Sequence, residues 1–427
     1  MRFASRVLAT LSLSFALAAP AQTLAHKGWA GSGLTVDPWW QGAIFYIVDP
    51  THLAGLTERL PYLQSLGVDA MIVPSFASSV AQPAPAEAEE FDRLESEAGR
   101  HKIRILVDLP LKSEASLADT DTIARFWLSR GVAGLRLVRT PETPADPSTY
   151  LRDLRRITAS YGGQRVLLWD AGSIAIADPP ARRRTSRRPA PQPATPDLTV
   201  DRNLELLGSL APPGLRAALA GPTTGVAVAT DSGQSASFEH LGETIPIARL
   251  LATALLAGRG APLLYGGQEV GKASSDSALL QEDSDPGSLV NWYRKLADLH
   301  HGNIALRTGL FDLVPTSDPD LVIWVRRPRL GGAPVLAVLN TSATTTHLTS
   351  LPLLAGELRR LGINGAMLKT LATTEADTTT PTPTTISLAP FGAFLGEIRA
   401  SAGLETIVLP VRHPVSHRRQ RKDSLTR

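Results

Sequence analysis

Three aspartates in this chain each follow an apolar run with the composition of a β-strand, and their carboxylates are the groups best suited to chemistry. They are Asp108, Asp170 and Asp231. A carboxylate can act as a general acid, a general base or a nucleophile, or it can bind polar groups of a ligand. Such chemistry needs a fold that brings these strand ends together.

From Trp39 onward the sequence alternates short β-rich runs with stretches of helical spacing, which is typical of parallel βαβ units. The eight predicted strands are Ala43–Val48, Asp69–Val73, Ile103–Val107, Gly134–Val138, Val166–Trp169, Leu198–Val200, Gly225–Ala229 and Ala261–Tyr265. Eight strands alternating with helices over about 250 residues predict an α/β fold, the TIM (β/α)8 barrel, whose active sites lie at the carboxyl ends of the strands. The three aspartates are therefore expected at one mouth of the barrel.

The pattern changes to alternating β signals after a predicted helix at Ser288 to His300. These signals predict a small C-terminal antiparallel β-sandwich domain. We expect the barrel at residues 36–308, the β domain at 309–400 and a basic, unfolded tail at 401–427. Within the barrel, residues 178–197 are rich in Pro and Arg and predict a disordered loop, because such a segment cannot bury apolar surface.

Residues 1–25 have the layout of a secretory signal peptide, with Arg2 and Arg6 before an apolar run from Val7 to Ala19. That run is short for a membrane span, which needs about 20 residues. No other window is apolar enough to cross a bilayer, so we expect an exported protein, periplasmic or extracellular.

Charge and cysteine content exclude several classes of partner. The formal net charge is +3 and the chain contains no cysteine. Disulfides and cysteine-ligated metal sites are therefore excluded. The basic residues cluster in a loop and in the tail, which argues against a surface that reads nucleic acid.

Several stretches, taken in order, resemble the alpha-amylase family, glycoside hydrolase family 13. FWLSRGVAGLRLVRT (Phe126 to Thr140) is similar to the family's fourth-strand pattern FWLxxGVDGFRLDVV. LLATALLAGRGAPLLYGGQEVG (Leu250 to Gly271) is similar to LLATLLLTLPGTPFIYYGEEIG, and WWQGAIFYIVDP (Trp39 to Pro50) resembles the family's opening motif. The resemblance covers nearly the whole mature chain and implies the barrel followed by the β-sandwich. The family's large insertion after strand three is missing here.

The catalytic positions that the resemblance implies depart from the family pattern. The slot of the nucleophile, two residues after Arg136, holds Val138, and a valine side chain can neither attack nor stabilise an oxocarbenium ion. The slot of the general acid holds Asp170, one methylene shorter than the family's Glu. Asp231 keeps the family's third carboxylate, which binds sugar hydroxyls and cannot run the reaction alone.

Two further pairs depart from the family at the same strand ends. Lys112 and Ser113 replace an Asn-His pair after strand three, and Ala229 and Thr230 replace another before Asp231. Lys112 brings positive charge where a calcium ion needs oxygen ligands. We therefore predict no metal site and no cofactor.

The resemblance makes Asp170 and Asp231 candidate catalytic remnants, and Arg136, Asp108 and Trp169 candidate substrate-binding residues. Each also has a structural interpretation. Asp108 and Asp231 can cap loops, and Trp169 can pack in the core. Arg136 can be a buried ion-pair partner if Asp108 or Asp170 replaces the carboxylate that Val138 lacks.

Three functions remain open from the sequence. The first is an amylase-like protein of carbohydrate metabolism that is catalytically impaired or inactive and is retained for glycan binding or scaffolding, with an alpha-glucan or other oligosaccharide as candidate partner. The second is an active hydrolase that uses the displaced carboxylates Asp170 and Asp231. The third is an accessory subunit like the amylase-like heavy chains of amino-acid transporters, which needs a membrane anchor.

Overall fold

The computed structural model describes residues 38–48, 55–73, 85–111, 117–171, 196–205, 207, 209–229, 245–270, 285–365, 367–375 and 384–400. Eight parallel strands close into a barrel in chain order, which confirms the predicted (β/α)8 architecture. They are β1 (Phe45–Ile47), β2 (Ala70–Val73), β3 (Arg104–Leu111), β4 (Gly134–Arg139), β5 (Val166–Asp170), β6 (Leu198–Asp201), β7 (Val226–Ala229) and β8 (Ala261–Tyr265).

Helices cover the outside of this barrel. They are α1 (Leu56–Ser65), α2 (Pro85–Arg100), α3 (Leu117–Ser129), α4 (Ser148–Ala159), α5 (Pro212–Leu219), α6 (Ile245–Leu256), α7 (Leu289–Gly302) and the short α8 (Ile304–Thr308). Five residues separate β3 from α3, so the chain has no room there for a large insertion.

Successive residues of each barrel strand face opposite sides, and this alternation builds two cores. Side chains such as Ile72, Leu106 and Leu168 fill the barrel interior. Their neighbours, such as Met71 and Leu167, pack outward against the helices. The residue at the end of each strand therefore points into the mouth whenever it continues the inward series.

The C-terminal region forms antiparallel sheets, as predicted. One has five strands in the order β13-β15-β11-β10-β9 and a second pairs β12 with β14. The strands are β9 (Leu310–Val314), β10 (Leu321–Arg327), β11 (Val335–Asn340), β12 (His347–Ser350), β13 (Met367–Thr373), β14 (Thr385–Leu388) and β15 (Ala393–Arg399), with helix α9 (Leu351–Arg360) after β12. Trp324 of β10 is fully buried and its indole N–H donates to the carbonyl of Ala257 at 2.9 Å, which joins the sheet to the end of α6.

Several element bounds differ from the sequence-based expectation. Strand β3 continues past Asp108 to Leu111, because Leu109 and Leu111 are buried and pair with β4. Helix α2 begins at Pro85, although the Pro- and Ala-rich composition of residues 77–90 predicts a polar loop. Asp197, at the end of the segment predicted to be disordered, is fixed: its carboxylate accepts the N–H of Leu167 and pairs with Arg155.

The other predicted terminal and loop segments lie outside the described residues. These are the signal peptide at 1–25, most of the loop at 178–197, and the tail at 401–427. Among the helices that the structure describes, none combines the length and the apolar character that a bilayer crossing requires.

His300 of α7 should make the fold sensitive to acid. Its ring is buried, with Nδ1 2.9 Å from the carbonyl oxygen of Leu256 and Nε2 3.3 Å from that of Gly42. Burial lowers the pKa of His300 to about 4, whereas the unfolded chain titrates near about 6.5. The stabilisation is therefore complete above about pH 6.5 and is lost as the pH falls to about 4.

We expect the free energy of unfolding to fall by about 3 kcal/mol between pH 7 and pH 4 through this group. Urea titrations at a series of pH values measure the change, and the His300→Gln variant should lack that component. The His101→Gln variant is a control that should behave as the wild type. Equal acid sensitivity in the wild type and His300→Gln would contradict the prediction.

Candidate functional site at the barrel mouth

The inward series of four barrel strands brings polar side chains to the mouth. Asp108 follows Leu106 on β3, Arg136 lies on β4, Asp170 follows Leu168 on β5, and Tyr265 follows Leu263 on β8. The layers below are apolar. The inward side chains thus change from aliphatic to polar toward the carboxyl ends of these strands, where active sites of this architecture lie.

Arg136 and Asp108 form a two-point ion pair across β3 and β4. Nε of Arg136 donates to Oδ1 of Asp108 at 2.7 Å, and one terminal nitrogen donates to Oδ2 at 2.6 Å. Only 8% of the Arg136 side chain and 14% of that of Asp108 are exposed. Parallel, charge-assisted bonds of this kind fix both direction and position. Asp108 therefore fills the partner role that Val138 cannot, and the carboxylate pairs with a side chain instead of capping a loop.

Asp170 lies between two arginines. Its carboxylate accepts two hydrogen bonds from the guanidinium of Arg202, one from Nε at 3.2 Å and one from a terminal nitrogen at 2.8 Å. A terminal nitrogen of Arg136 lies 3.5 Å from Oδ2. The Asp170 side chain is 3% exposed, so both oxygens face protein groups instead of open solvent.

Arg202, just after β6, links the remaining members of this network. Besides Asp170, it donates to Glu205 at 2.6 Å and to the hydroxyl of Tyr265 at 2.7 Å. Its side chain is 9% exposed. We call Asp108, Arg136, Asp170, Arg202, Glu205 and Tyr265 the mouth network.

Electrostatics within the mouth network favour charged arginines. Burial lowers the pKa of each guanidinium, but neighbouring groups raise it above the ordinary value. Asp108 has this effect on Arg136. Tyr265 and Asp170 have it on Arg202. Burial raises the pKa of the Asp108 carboxyl, with Arg136 opposing the rise. Burial also raises the pKa of Tyr265, which therefore stays a phenol.

Val138 pairs in register with Asp170, at the position that the family resemblance assigns to the nucleophile. It is partly buried at the end of β4. A hydrocarbon side chain at this point brings neither charge nor a hydrogen-bonding atom to the mouth.

The other predicted site residues divide into two groups. Trp169 is 3% exposed and belongs to the outer core between strands and helices, so its predicted sugar contact remains a prediction that this burial does not favour. Lys112, Ser113, Thr230 and Asp231 lie outside the described residues. The predicted role of Asp231 therefore stays a prediction.

Glu269 is a second buried carboxylate, outside the mouth network. It follows β8 and accepts the hydroxyls of Tyr46 and Tyr62, each at 3.0 Å, and the N–H of Gly267 at 3.1 Å. Burial raises the pKa of Glu269. These bonds tie the end of β8 to β1 and α1, which is a structural role.

Sequence reasoning did not single out Arg202, Glu205, Tyr265 or Glu269. For Tyr265 a signal existed, since it ends a predicted strand in the inward series of Ala261 and Leu263. Arg202 follows a strand of four residues, and its reach to Asp170 and Tyr265 depends on tertiary contacts that a local pattern does not carry.

Solved structures share this fold over most of the chain. Isomaltulose synthase from Erwinia rhapontici NX5 superposes with a TM-score of 0.64 at 15% identity, covering 86% of this chain and 100% of that one. Trehalulose synthase from Pseudomonas mesoacidophila MX-45 gives a TM-score of 0.63 at 16% identity with the same coverage. Likeness at these identities establishes the fold.

Curated relatives match shorter segments. The amino acid transporter heavy chain SLC3A2 of Oryctolagus cuniculus is 28% identical over 167 residues, which are 32% of this chain and 31% of the relative. A probable alpha-glucosidase of Rhizobium meliloti (strain 1021) is 33% identical over 97 residues, 17% of this chain and 18% of the relative. The match thus spans less than a third of either relative, and no family model matches the chain. Its barrel and its C-terminal sheets, together with these segment matches, make the chain similar in fold to proteins of the alpha-amylase family.

Proposed function

We propose that this protein is a catalytically inactive, alpha-amylase-like protein that keeps its fold for scaffolding or glycan binding. The observation that carries the proposal is the position of Asp170 between Arg136 and Arg202. Asp170, at the position of the general acid, forms ion pairs with both arginines. The position of the nucleophile is occupied by Val138.

A general acid must present a proton to the leaving oxygen. Both oxygens of Asp170 instead accept hydrogen bonds from Arg202, and Arg136 adds positive charge on the other side. Freeing the carboxylate for a substrate would leave the buried Arg202 guanidinium with Glu205 as its remaining carboxylate in the mouth network, which is costly. This arrangement supports a structural role for Asp170.

Retaining hydrolysis also needs a second carboxylate about 5 to 5.5 Å from the acid. Among the described residues, the other carboxylates of the mouth network are Asp108 and Glu205, and each is held by an arginine. The competing proposal, an active hydrolase, would have to combine Asp170 with Asp231.

The names of the two curated relatives are compatible with an enzyme and with a protein that has no enzymatic activity. One is named as a probable alpha-glucosidase and another as an amino acid transporter heavy chain. For this chain, the mouth network favours a protein without glucosidase activity, because ion pairs that fill the mouth stabilise the barrel without taking part in catalysis.

We expect the purified protein to release no reducing sugar from maltooligosaccharides or sucrose above the level of its Asp170→Ala variant. The physical reason is that Val138 offers no nucleophile and Asp170 no free proton donor. The Val138→Asp variant is a further control, and it should also stay far below amylase rates because Asp170 remains paired. Turnover by the wild type that disappears in Asp170→Ala would refute inactivity and favour the hydrolase.

Binding to an array of alpha-glucans distinguishes a glycan-binding protein from a scaffold. Specific binding that weakens in the Asp231→Ala variant would favour a glycan-binding protein. Absence of binding to any glycan would favour a scaffold for a protein partner.

A further inference from the structure

We infer that the C-terminal domain carries a divalent transition-metal site, of the class that zinc fills, formed by His347 and Asp320 with Asp318 orienting the ring. The three residues offer ligand atoms that all lie within 4.8 Å of one another. They lie far from the barrel mouth in sequence, on the loop before β10 and at the start of β12. The inference does not depend on the proposed function, and it departs from the sequence-based prediction of no metal site.

The hydrogen bond between His347 and Asp318 defines which ring nitrogen is available. Nδ1 of His347 lies 2.7 Å from Oδ2 of Asp318, at which distance the ring N–H donates to the carboxylate. A neutral imidazole then has its lone pair on Nε2. Carboxylates that accept the second ring N–H of a metal-bound histidine commonly fix its tautomer and orientation in this way.

The second ring nitrogen faces another carboxylate without forming a hydrogen bond. Nε2 of His347 lies 3.1 Å from Oδ2 of Asp320. This nitrogen is nonetheless buried and has no hydrogen-bond partner in the part of the chain that the structure describes. Two electron-rich atoms at this distance repel each other unless a cation lies between them.

Geometry favours a metal ion over a proton as that cation. A bridging proton requires the oxygen to lie along the N–H direction, and this contact has the distance of a hydrogen bond without its alignment. A zinc ion binds nitrogen and oxygen at about 2.0 to 2.2 Å, so two of its ligand atoms lie about 3 Å apart with the ion off the line between them. The observed separation fits two ligands of one ion.

The loop that carries the aspartates is held in place by backbone contacts. The N–H of Asp320 donates to Oδ1 of Asp318 at 3.0 Å, and its carbonyl accepts both the N–H and the hydroxyl of Thr341 at 3.0 Å. Asp318 and His347 line an open cleft of about 680 Å³. An ion would therefore meet a preformed pair of ligands, with water from the cleft completing its coordination.

Calorimetric titration of the whole protein with zinc chloride tests the site, without an affinity tag and in a buffer that does not bind zinc. We expect one equivalent to bind, and the thermal unfolding midpoint to rise with zinc and fall back with EDTA, since a ligand of the native state stabilises it. His347→Gln and Asp320→Asn should each weaken binding by at least about tenfold, the smallest loss typical of groups that support a metal site. Asp320 is the more exposed residue, so its variant keeps the test valid if His347→Gln does not fold.

Two control variants remove other histidines. His301→Gln removes another histidine with a carboxylate neighbour, Asp69 at 2.9 Å, and should bind zinc as the wild type does. A variant with His413 and His417 changed to Ala removes the histidines of the tail and should also retain the site. Absence of saturable zinc binding in the wild type, or unchanged binding in His347→Gln, would overturn the inference and leave a protonated histidine between two aspartates.

Discussion

Replacing Arg136 by Met is expected to destabilise the protein by about 3 to 5 kcal/mol, the usual cost of removing one member of a buried ion pair. Asp108 loses both of its bonds from the guanidinium, and Asp170 loses one of its two cationic neighbours. Urea unfolding of the variant and the wild type at pH 7 measures the difference. The large effect comes from the charges left behind, since methionine fills much of the same volume.

The Arg136→Lys variant is the matched control for that loss. Lysine keeps the positive charge but cannot form two parallel bonds to Asp108. Its destabilisation should therefore lie between those of the wild type and Arg136→Met. If Arg136→Met were as stable as the wild type, the ion pairs of the mouth network would have no structural role.

Replacing Asp170 by Asn is expected to lower the free energy of unfolding by about 3 kcal/mol or more. The variant keeps the size of the side chain but removes the negative charge between Arg136 and Arg202. Both guanidiniums are buried, so water cannot easily replace the carboxylate. Chemical denaturation again provides the measurement.

The Asp153→Asn variant shows what loss of an exposed pair costs. Asp153 pairs with Arg156 on the surface of α4, where 77% of the arginine side chain is exposed. Such pairs contribute about 0.3 to 0.5 kcal/mol. Equal small losses in Asp153→Asn and Asp170→Asn would mean that the mouth network behaves like surface charge.

The barrel could be predicted from the sequence because its strands are short apolar runs at regular spacing. All eight predicted strands overlap strands of the structure. Helix α4 carried a signal that the prediction did not use: Leu151, Leu154 and Ile157 recur at helical spacing and are buried. Helix α9 was also missed, because the alternating β pattern around it suggested only strands.

The candidate site was predictable in part. Asp108, Arg136 and Asp170 follow from strand ends and from the family resemblance, and the structure brings these three together. Their partner Arg202 could not be predicted, because its long side chain crosses from the loop after β6 to Asp170 and Tyr265. The pair His347 and Asp318 is separated by 29 positions and has no spacing that a metal motif would show.

A double-mutant cycle between Asp170 and Arg202 tests most directly whether the mouth of the barrel holds ion pairs in place of a catalytic acid. The cycle compares the free energies of unfolding of the wild type, Asp170→Asn, Arg202→Met and the double variant. We predict that the double variant loses less than the sum of the single losses, with a coupling energy of about 1 to 3 kcal/mol, as for residues in one network. Additive losses within about 0.5 kcal/mol would contradict the proposed role of Asp170.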